Sequence, residues 1–327
     1  MQTDAPSHDI EGQLEQYRPE LTAYCYRMLG SAFEADDAVQ DTMVRAWRAS
    51  GSFEGRSSLR SWLYRIATNV CLDSLNGRNR RARPMDLGPA SPADTTLAPP
   101  LPEVTWLGPI PDGRVVTSGS DPADVADTRA SIRLAFVAAL QHLPPRQRAV
   151  LILREVLRWK ATEVAELLDT SVASVNSALQ RARATLAENN VSESDTEAPM
   201  DEAQQALLAR YVDAFQRYDI ESLTALIAED AIQSMPPIAM WLSGREEIFS
   251  FWLTTGAACR GSKVIPTVSA NGSPAFGQYK PSGPNGEHEP WALQVLEISD
   301  GRIVEMSFFL DVERVFPLFG LPLQYEG

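Results

Sequence analysis

Small and polar side chains followed by cations recur along one side of residues 171–183: Ser171, Ala173, Ser174, Asn176, Ser177, Gln180, Arg181 and Arg183. Hydroxyls and carboxamides can exchange hydrogen bonds with base edges, and guanidinium groups can hold phosphates. The other side is apolar. Val172, Val175, Leu179 and Ala182 follow one another at spacings of three, four and three, the period of a helix. A preceding helix is expected to turn Val164, Leu167 and Leu168 inward. Between the two, Asp169-Thr170-Ser171 makes a tight turn in which the Ser171 hydroxyl caps the second helix. Two short helices joined in this way suit a second helix laid in the major groove of DNA. The same spacing also fits an ordinary αα-hairpin with a solvated face.

A second cluster lies upstream. Phe53, Trp62 and Tyr64 are interleaved with Arg56, Arg60 and Arg65, and Arg78, Arg80, Arg81 and Arg83 follow. Ring faces stack on exposed bases while arginines track the backbone, a combination suited to single-stranded DNA. Trp62 and Tyr64 fit a packed core equally well. The net charge of −14 argues against a nucleic-acid partner only if it is spread evenly, and it is not. Residues 1–190 hold 21 Lys+Arg against 23 Asp+Glu, whereas residues 191–327 hold 8 against 20. Within the first part, residues 45–83 set nine arginines against Glu54 and Asp73. Local field decides where a polyanion docks.

The rest of the chain must position these groups. Residues 11–83 read as closely packed helices, and residues 123–188 as a second helical set. Between them, residues 84–122 contain nine of the 23 prolines and few aliphatics, so a linker is expected. One island in it, Val104-Thr105-Trp106-Leu107-Gly108-Pro109-Ile110, is apolar enough to dock on a neighbour. Residues 189–200 form a short polar linker. From 201 to 327 the pattern begins with helices at 202–218, 220–229 and 244–254. Strands follow at 231–235, 263–270, 274–280, 290–299 and 302–310, the last two joined at Asp300-Gly301. Helices followed by antiparallel strands predict a separate α+β domain. Cys25, Cys71 and Cys259 lie far apart without metal-ligand spacing, so free thiols are expected, and neither a metal site nor a cofactor. No apolar run approaches the roughly 18 residues of a membrane span. The polar start MQTDAPSHDI is unlike a signal peptide, and a cytoplasmic protein is expected.

Residues 17–83 resemble region 2 of the extracytoplasmic-function sigma factors of bacterial RNA polymerase. The resemblance is carried by Asp36-Asp37-Ala38-Val39-Gln40-Asp41, Trp47, Ser58-Leu59, Trp62-Leu63-Tyr64-Arg65-Ile66-Ala67 and Asn69. Residues 143–186 resemble region 4 of the same family and end in Gln180-Arg181-Ala182-Arg183. This implies a transcription initiation factor with two partners, promoter DNA and core RNA polymerase (the coiled coil of its largest subunit and its flap region). Asp36, Asp37, Val39, Gln40 and Asp41 would grip the coiled coil. Ser57, Ser58 and Asn69 would read the −10 element, with Arg60, Trp62 and Arg65 on the open strand and Arg78, Arg80 and Arg81 on duplex phosphates. Ser171, Ala173, Ser174, Asn176, Ser177 and Gln180 would face the −35 element, with Arg181 and Arg183 on phosphates. Two positions depart from the family pattern: Asp169 stands where Gly is usual, and Asn176 where Lys or Arg is common. The resemblance leaves room for a separate anti-sigma partner.

Residues 202–327 resemble the SnoaL-like, polyketide-cyclase-like domains, α+β cones around a pocket. The cues are Ala206-Leu207-Leu208-Ala209-Arg210-Tyr211, Met235-Pro236-Pro237, Trp241 with Gly244, Phe308-Phe309-Leu310-Asp311 and Phe319-Gly320-Leu321-Pro322. The expected fold is therefore multidomain: two all-α sigma domains, a helical region 2 and a helix-turn-helix region 4, then a C-terminal α+β SnoaL-like cone. Catalysis in the cone would need an acid/base pair. The one tail histidine, His288, lies in a Gly/Pro-rich loop, and no catalytic dyad can be assigned. Regulation is the favoured reading. The acidic tail could contact the basic stripe or the polymerase, or an aromatic pocket (Trp241, Phe251, Trp252, Trp291) could take a small apolar ligand. The plainer alternative is an acidic module whose aromatics only fill its core.

Overall fold

The computed structural model describes residues 12–53, 55, 57–116, 121–188 and 201–325. The chain divides into two compact units: residues 1–81 with 113–196, and residues 82–112 with 197–327.

In the first unit, α1 (Arg18–Leu29) begins at a proline-bearing first turn and ends at Gly30, whose φ of 73° closes the helix with a bond from its N–H to Tyr26 O. Ser31 then caps α2 (Ala32–Ala49) by accepting from Glu34 N. That helix buries Ala35, Ala38, Val39, Thr42, Met43 and Ala46, a stripe at spacings of three and four. Ser58 caps α3 (Leu59–Leu75) in the same manner, accepting from Ser61 N at 3.1 Å. Leu63, Tyr64, Ala67, Val70 and Cys71 face inward from α3, and the Tyr24 hydroxyl meets Thr68 Oγ1 at 2.7 Å. Cys25 and Cys71 are buried free thiols.

The remainder of this unit comprises α4 (Pro122–Ile132), α5 (Leu134–Gln141) and α6 (Pro145–Leu151), the last running into a π-helical turn at Ile152–Val156. The helix-turn-helix is α7 (Ala161–Leu167) and α8 (Val172–Glu188). Asp169 occupies the left-handed region at φ 49°, the conformation for which Gly is the usual choice; Asp tolerates it better than most residues. Ser171 Oγ accepts from Ser174 N at 3.1 Å, the expected cap. Val175, Leu179 and Ala182 are buried, but Val172 is 38% exposed. As the first residue of α8 it precedes the turn that packs.

The second unit is a six-stranded sheet in the order β2-β1-β6-β5-β4-β3, with β1 Ile227–Ser234, β2 Trp241–Ser243, β3 Lys263–Pro266, β4 Ala275–Pro281, β5 His288–Ser299 and β6 Arg302–Phe309. It is mixed rather than antiparallel throughout, because β1 runs parallel to β6 while the other pairs are antiparallel. Helices α9 (Glu202–Arg217), α10 (Ile220–Thr224) and α11 (Arg245–Leu253) supply Leu207, Tyr211, Phe215, Leu223, Ile248 and Trp252 to its main core. The helix expected at 220–229 stops at Thr224, since Ile227 already begins β1. β2 and a final helix, α12 (Val312–Leu318), were not foreseen. Beyond α12, Leu321 packs on Gly277 of β4 so closely that a Cβ there would lie 2.8 Å from it.

The Pro-rich segment is not a free spacer. Trp106, Leu107 and Ile110 are buried, and Ala93 and Leu97 join the main core of this unit. Backbone bonds pin the segment at intervals: Ser91 N to Trp241 O (2.8 Å), Leu101 N to Pro237 O (2.9 Å), Asn271 N to Ile110 O (3.0 Å) and Asp112 N to Ser269 O (2.9 Å). Asp112 Oδ1 accepts from Gly272 N, and Trp241 Nε1 donates to Gly88 O. Proline fits such a strap, because extended backbone lacking some N–H groups can lie against a surface without leaving many donors unpaired.

Candidate nucleic-acid interface

Helix α8 presents its polar row outward. Ser171, Ala173, Ser174, Asn176, Ser177, Gln180, Arg181 and Arg183 are all exposed. Behind them the buried Val175, Leu179 and Ala182 fix the helix on α6 and α7. Arg183 donates to Glu155 Oε1 at 2.8 Å, a surface pair that a phosphate could replace at little cost.

On α3, Ser57, Ser58, Arg65 and Asn69 are exposed. Trp62 is half-buried and lies on Phe53, with ring centroids 4.9 Å apart, so it has both a core contact and an accessible face. Tyr64 is fully buried, where burial raises its hydroxyl far above the ordinary range; it belongs to the core. Arg60 is half-buried, paired with Glu20 at 2.9 Å and lying over the rings of Tyr64 and Trp159 at 5.2 and 5.5 Å. Arg78 is exposed and bonded to Glu34 at 2.6 Å, and Arg80 bonds His142. Arg81 is only 5% exposed and pairs with Glu34 at 3.1 Å, so in this conformation it does not present its charge to a duplex.

The acidic surface on α2 is partly as expected. Asp37 and Gln40 are exposed, Asp36 pairs with Arg114, and Asp41 pairs with Arg45 at 2.8 Å. Val39 is 0% exposed: it supports this face from beneath and cannot form its apolar centre. Trp47, at 55%, is the large apolar group that α2 exposes. Sequence reasoning also missed two buried guanidinium groups. Arg27 and Arg148 are each pushed down to about 10, chiefly by burial. Arg148 donates to Met28 O, to Gln141 Oε1 at 2.7 Å, and to the carbonyls of Gln141 and Leu143. A charged residue beside Gln147 and Ala149 carries no sequence signal for such burial.

The cone of the second unit encloses a cavity of about 30 Å³ lined by Phe215, Tyr218, Gln233, Phe251, Trp252 and Trp291, among others. That is room for about one water. Trp241, expected there, instead lies under the strap. Buried polar groups are satisfied in series: Tyr211 to Gln294 (2.9 Å), Gln294 to Gln278 (2.9 Å) and Gln278 to Ser262 (3.0 Å). His288 is half-exposed at the rim and lies 3.0 Å from Gly261 O, away from the cavity lining.

A helix-turn-helix with an outward polar row, a basic aromatic helix in the same unit and a fused α+β cone define a DNA-reading protein of the sigma type. Models of known families agree: Sigma-70 region 2 matches residues 14–81, Sigma-70 region 4 matches 133–186, and the SnoaL-like domain matches 208–306. The chain is 46% identical to the ECF RNA polymerase sigma factor SigG of Mycobacterium tuberculosis over 316 residues, 96% of this chain and 84% of that one. SigW of Bacillus subtilis is 28% identical over 170 residues, covering 52% of this chain and 82% of SigW. The crystal structure of M. tuberculosis SigJ shares the fold, with a TM-score of 0.58 at 20% identity over 98% of this chain and 100% of that one. The chain belongs to the ECF sigma factors of RNA polymerase, with a SnoaL-like domain fused after region 4.

Proposed function

We propose that this sigma factor docks on core RNA polymerase through the exposed Asp37 and Gln40 and the half-buried, ion-paired Asp36 and Asp41, and directs it to promoters with two readers. Helix α8 reads the −35 element through Ser171, Ala173, Ser174, Asn176, Ser177 and Gln180, with Arg181 and Arg183 on phosphates. Ser57, Ser58, Trp62, Arg65 and Asn69 hold the −10 strand as the duplex opens, where an extruded base needs a ring to stack on and polar groups to read its edge. Arg78 and Arg80 add affinity without sequence choice. The polymerase carries out nucleotidyl transfer in the cytoplasm, and the sigma factor supplies no catalytic group. The observation that carries this reading is the row on α8, exposed at every proposed contact and buried on the opposite side.

The tail modulates these readers in cis rather than catalysing a reaction. Its cavity is nearly filled, and its polar lining is Gln233, Gln278, Tyr218 and Cys259, with no carboxylate or imidazole among them. Its hold on residues 82–112, the only stretch of chain joining region 2 to region 4, gives it a mechanical route to both. The test is transcription by purified core polymerase on a promoter mapped after overexpression, with the full chain and a chain ending at residue 195. Promoter-dependent transcripts support the sigma assignment, and unchanged promoter choice, affinity and output on truncation would remove the regulatory role.

A further inference from the structure

The SnoaL-like unit is acidic, and several of its few cations are already engaged. Residues 191–327 hold 20 Asp+Glu against 8 Lys+Arg. Arg217 pairs with Asp213 and Asp219, Arg314 with Glu103 and Asp311, and Arg245 donates to the carbonyls of Thr224 and Ile227. Two cations are placed differently. The Arg260 guanidinium lies over the Tyr218 ring, 5.2 Å from its centroid, and Lys280 Nζ lies 3.7 Å from the centroid of the Trp291 ring. Among the described residues, neither has a carboxylate within ion-pair distance. Glu289 stands opposite Lys280 in the β4–β5 register but takes a hydrogen bond from Ser282 Oγ at 2.6 Å.

Tyr218, Cys259 and Trp291 line the cone's cavity and are each half-buried, so they form its solvent-facing rim. Burial pushes the Cys259 thiol up and Lys280 pulls it back, which places the thiol within reach of that ammonium charge. The Tyr218 hydroxyl, pushed up to about 12 chiefly by burial, feels both Cys259 and Arg260. Two rings, two cations and a thiol thus converge from separate stretches of chain. The interior behind them has room for about one water, but interior and open mouth together span about 330 Å³, the lower end of the range of small-ligand clefts. Space for a ligand is therefore at the rim and not within the cone.

The rim also selects by charge. A bare ring face attracts cations. Here both faces already carry one of the protein's own, so a cationic guest meets repulsion as well as occupancy. For an anion the position is reversed. Where water reaches it, a cation is held only weakly over a ring, and a carboxylate offers it a charge-assisted hydrogen bond, the stronger contact. The ring faces that the cations leave can then cover a flat apolar body.

We propose that the rim of the cone is a binding site for a small aromatic carboxylate: Arg260 and Lys280 take the carboxylate, and Tyr218 and Trp291 pack on its ring over Cys259. The site goes beyond the promoter-reading assignment and does not depend on it, because binding is read on the full chain without polymerase or DNA.

Benzoate is the probe, with benzyl alcohol as its neutral counterpart and benzylamine as the cationic one. Cys259 is the reporter. It is the partly accessible thiol, whereas Cys25 and Cys71 are buried, so iodoacetamide labels it first and peptide mass spectrometry follows its rate. Benzoate is expected to slow that rate saturably, about threefold when present at twice its dissociation constant. The two counterparts should leave it unchanged at equal concentration. Arg260→Gln with Lys280→Gln should abolish the slowing, and Arg260→Lys, which keeps the charge, should retain most of it. Each variant is compared with its own rate without benzoate, and the three probes on the unaltered chain decide the proposal even where a variant unfolds. Equal slowing by benzyl alcohol or benzylamine would overturn the selection for an anion. No saturable slowing by benzoate, or slowing that survives the loss of both cations, would overturn the site itself.

Discussion

Asn176 is exposed on the proposed reading row, at a position where the resemblance to region 4 leads one to expect a longer cation. An Asn carboxamide pairs bidentately with adenine, and a guanidinium with guanine. Asn176→Arg is therefore expected to move −35 preference from adenine toward guanine at one position, by about 1–3 kcal/mol. Holoenzyme competition against a randomised −35 library checks this, and an unchanged base profile would remove Asn176 from the readout. Arg148 illustrates a different kind of residue. Its Nη1 and Nη2 donate to carbonyls and an amide oxygen of α1, α5 and the loop after α5, while the buried Nε has no partner, and Arg148→Met strands those acceptors. A loss of about 3 kcal/mol in denaturant unfolding of the helical unit is expected. Glu305 gives a pH dependence. Burial pushes its carboxyl above the usual range, with Arg83 and Ser307 pulling it back. Because the folded value lies above the unfolded one, the contribution to stability is greatest in acid and is lost as pH rises through the raised value. Glu305→Gln should raise the Tm at neutral pH, and the gain should fade as pH falls toward about 4.5. A constant gain across that range would mean that ionisation of Glu305 is not its origin.

At the scale of elements, the helix-turn-helix was almost fully legible. Its signals are local: a 3.6 period, a capping serine and a turn residue that accepts a positive φ. Ser171→Ala removes the cap of α8 and should cost about 1 kcal/mol. Circular dichroism during urea unfolding measures this directly. Periodicity was weaker at helix ends and on crowded faces. Val172 was assigned to the apolar side yet is exposed, because the first residue of a helix has no preceding turn to pack on. Val39 was assigned to a contact surface yet is buried, because adjacent positions on α2 differ by only about 100° and the sequence does not mark where the core begins. The parallel pairing of β1 with β6 was not readable either. The two strands are some seventy residues apart, and alternation within a strand says nothing about its neighbour.

At the scale of the molecule, the composition of residues 84–122 was read correctly as unable to fold alone, but its docking site lies more than a hundred residues downstream and left no trace nearby. The chain leaves the helical unit at Arg81, is bound into the SnoaL-like unit through Asp112, and returns at Gly113. Removal of the tail thus does more than delete a domain. A chain ending at residue 195 exposes Trp106, Leu107 and Ile110. It should be cut by chymotrypsin after Trp106, which is buried in the full chain, at least tenfold faster than the full chain, and should bind a hydrophobic dye that the full chain does not. Equal cleavage rates would show that the strap is not held in solution.

The strap also has a consequence in time. Residues 82–112 leave the ribosome before the sheet is complete, since the end of β6 at Phe309 comes about 200 residues after Asp112. At 5–20 residues per second the delay is roughly 10–40 s. In the later part of that interval, once Glu188 has emerged, both promoter readers can fold while the tether between them is still slack. Each newly made molecule thus begins as an unrestrained factor and acquires its restraint only when synthesis ends, so cells translating this message quickly would hold a transient pool that differs from the finished protein in conformation alone.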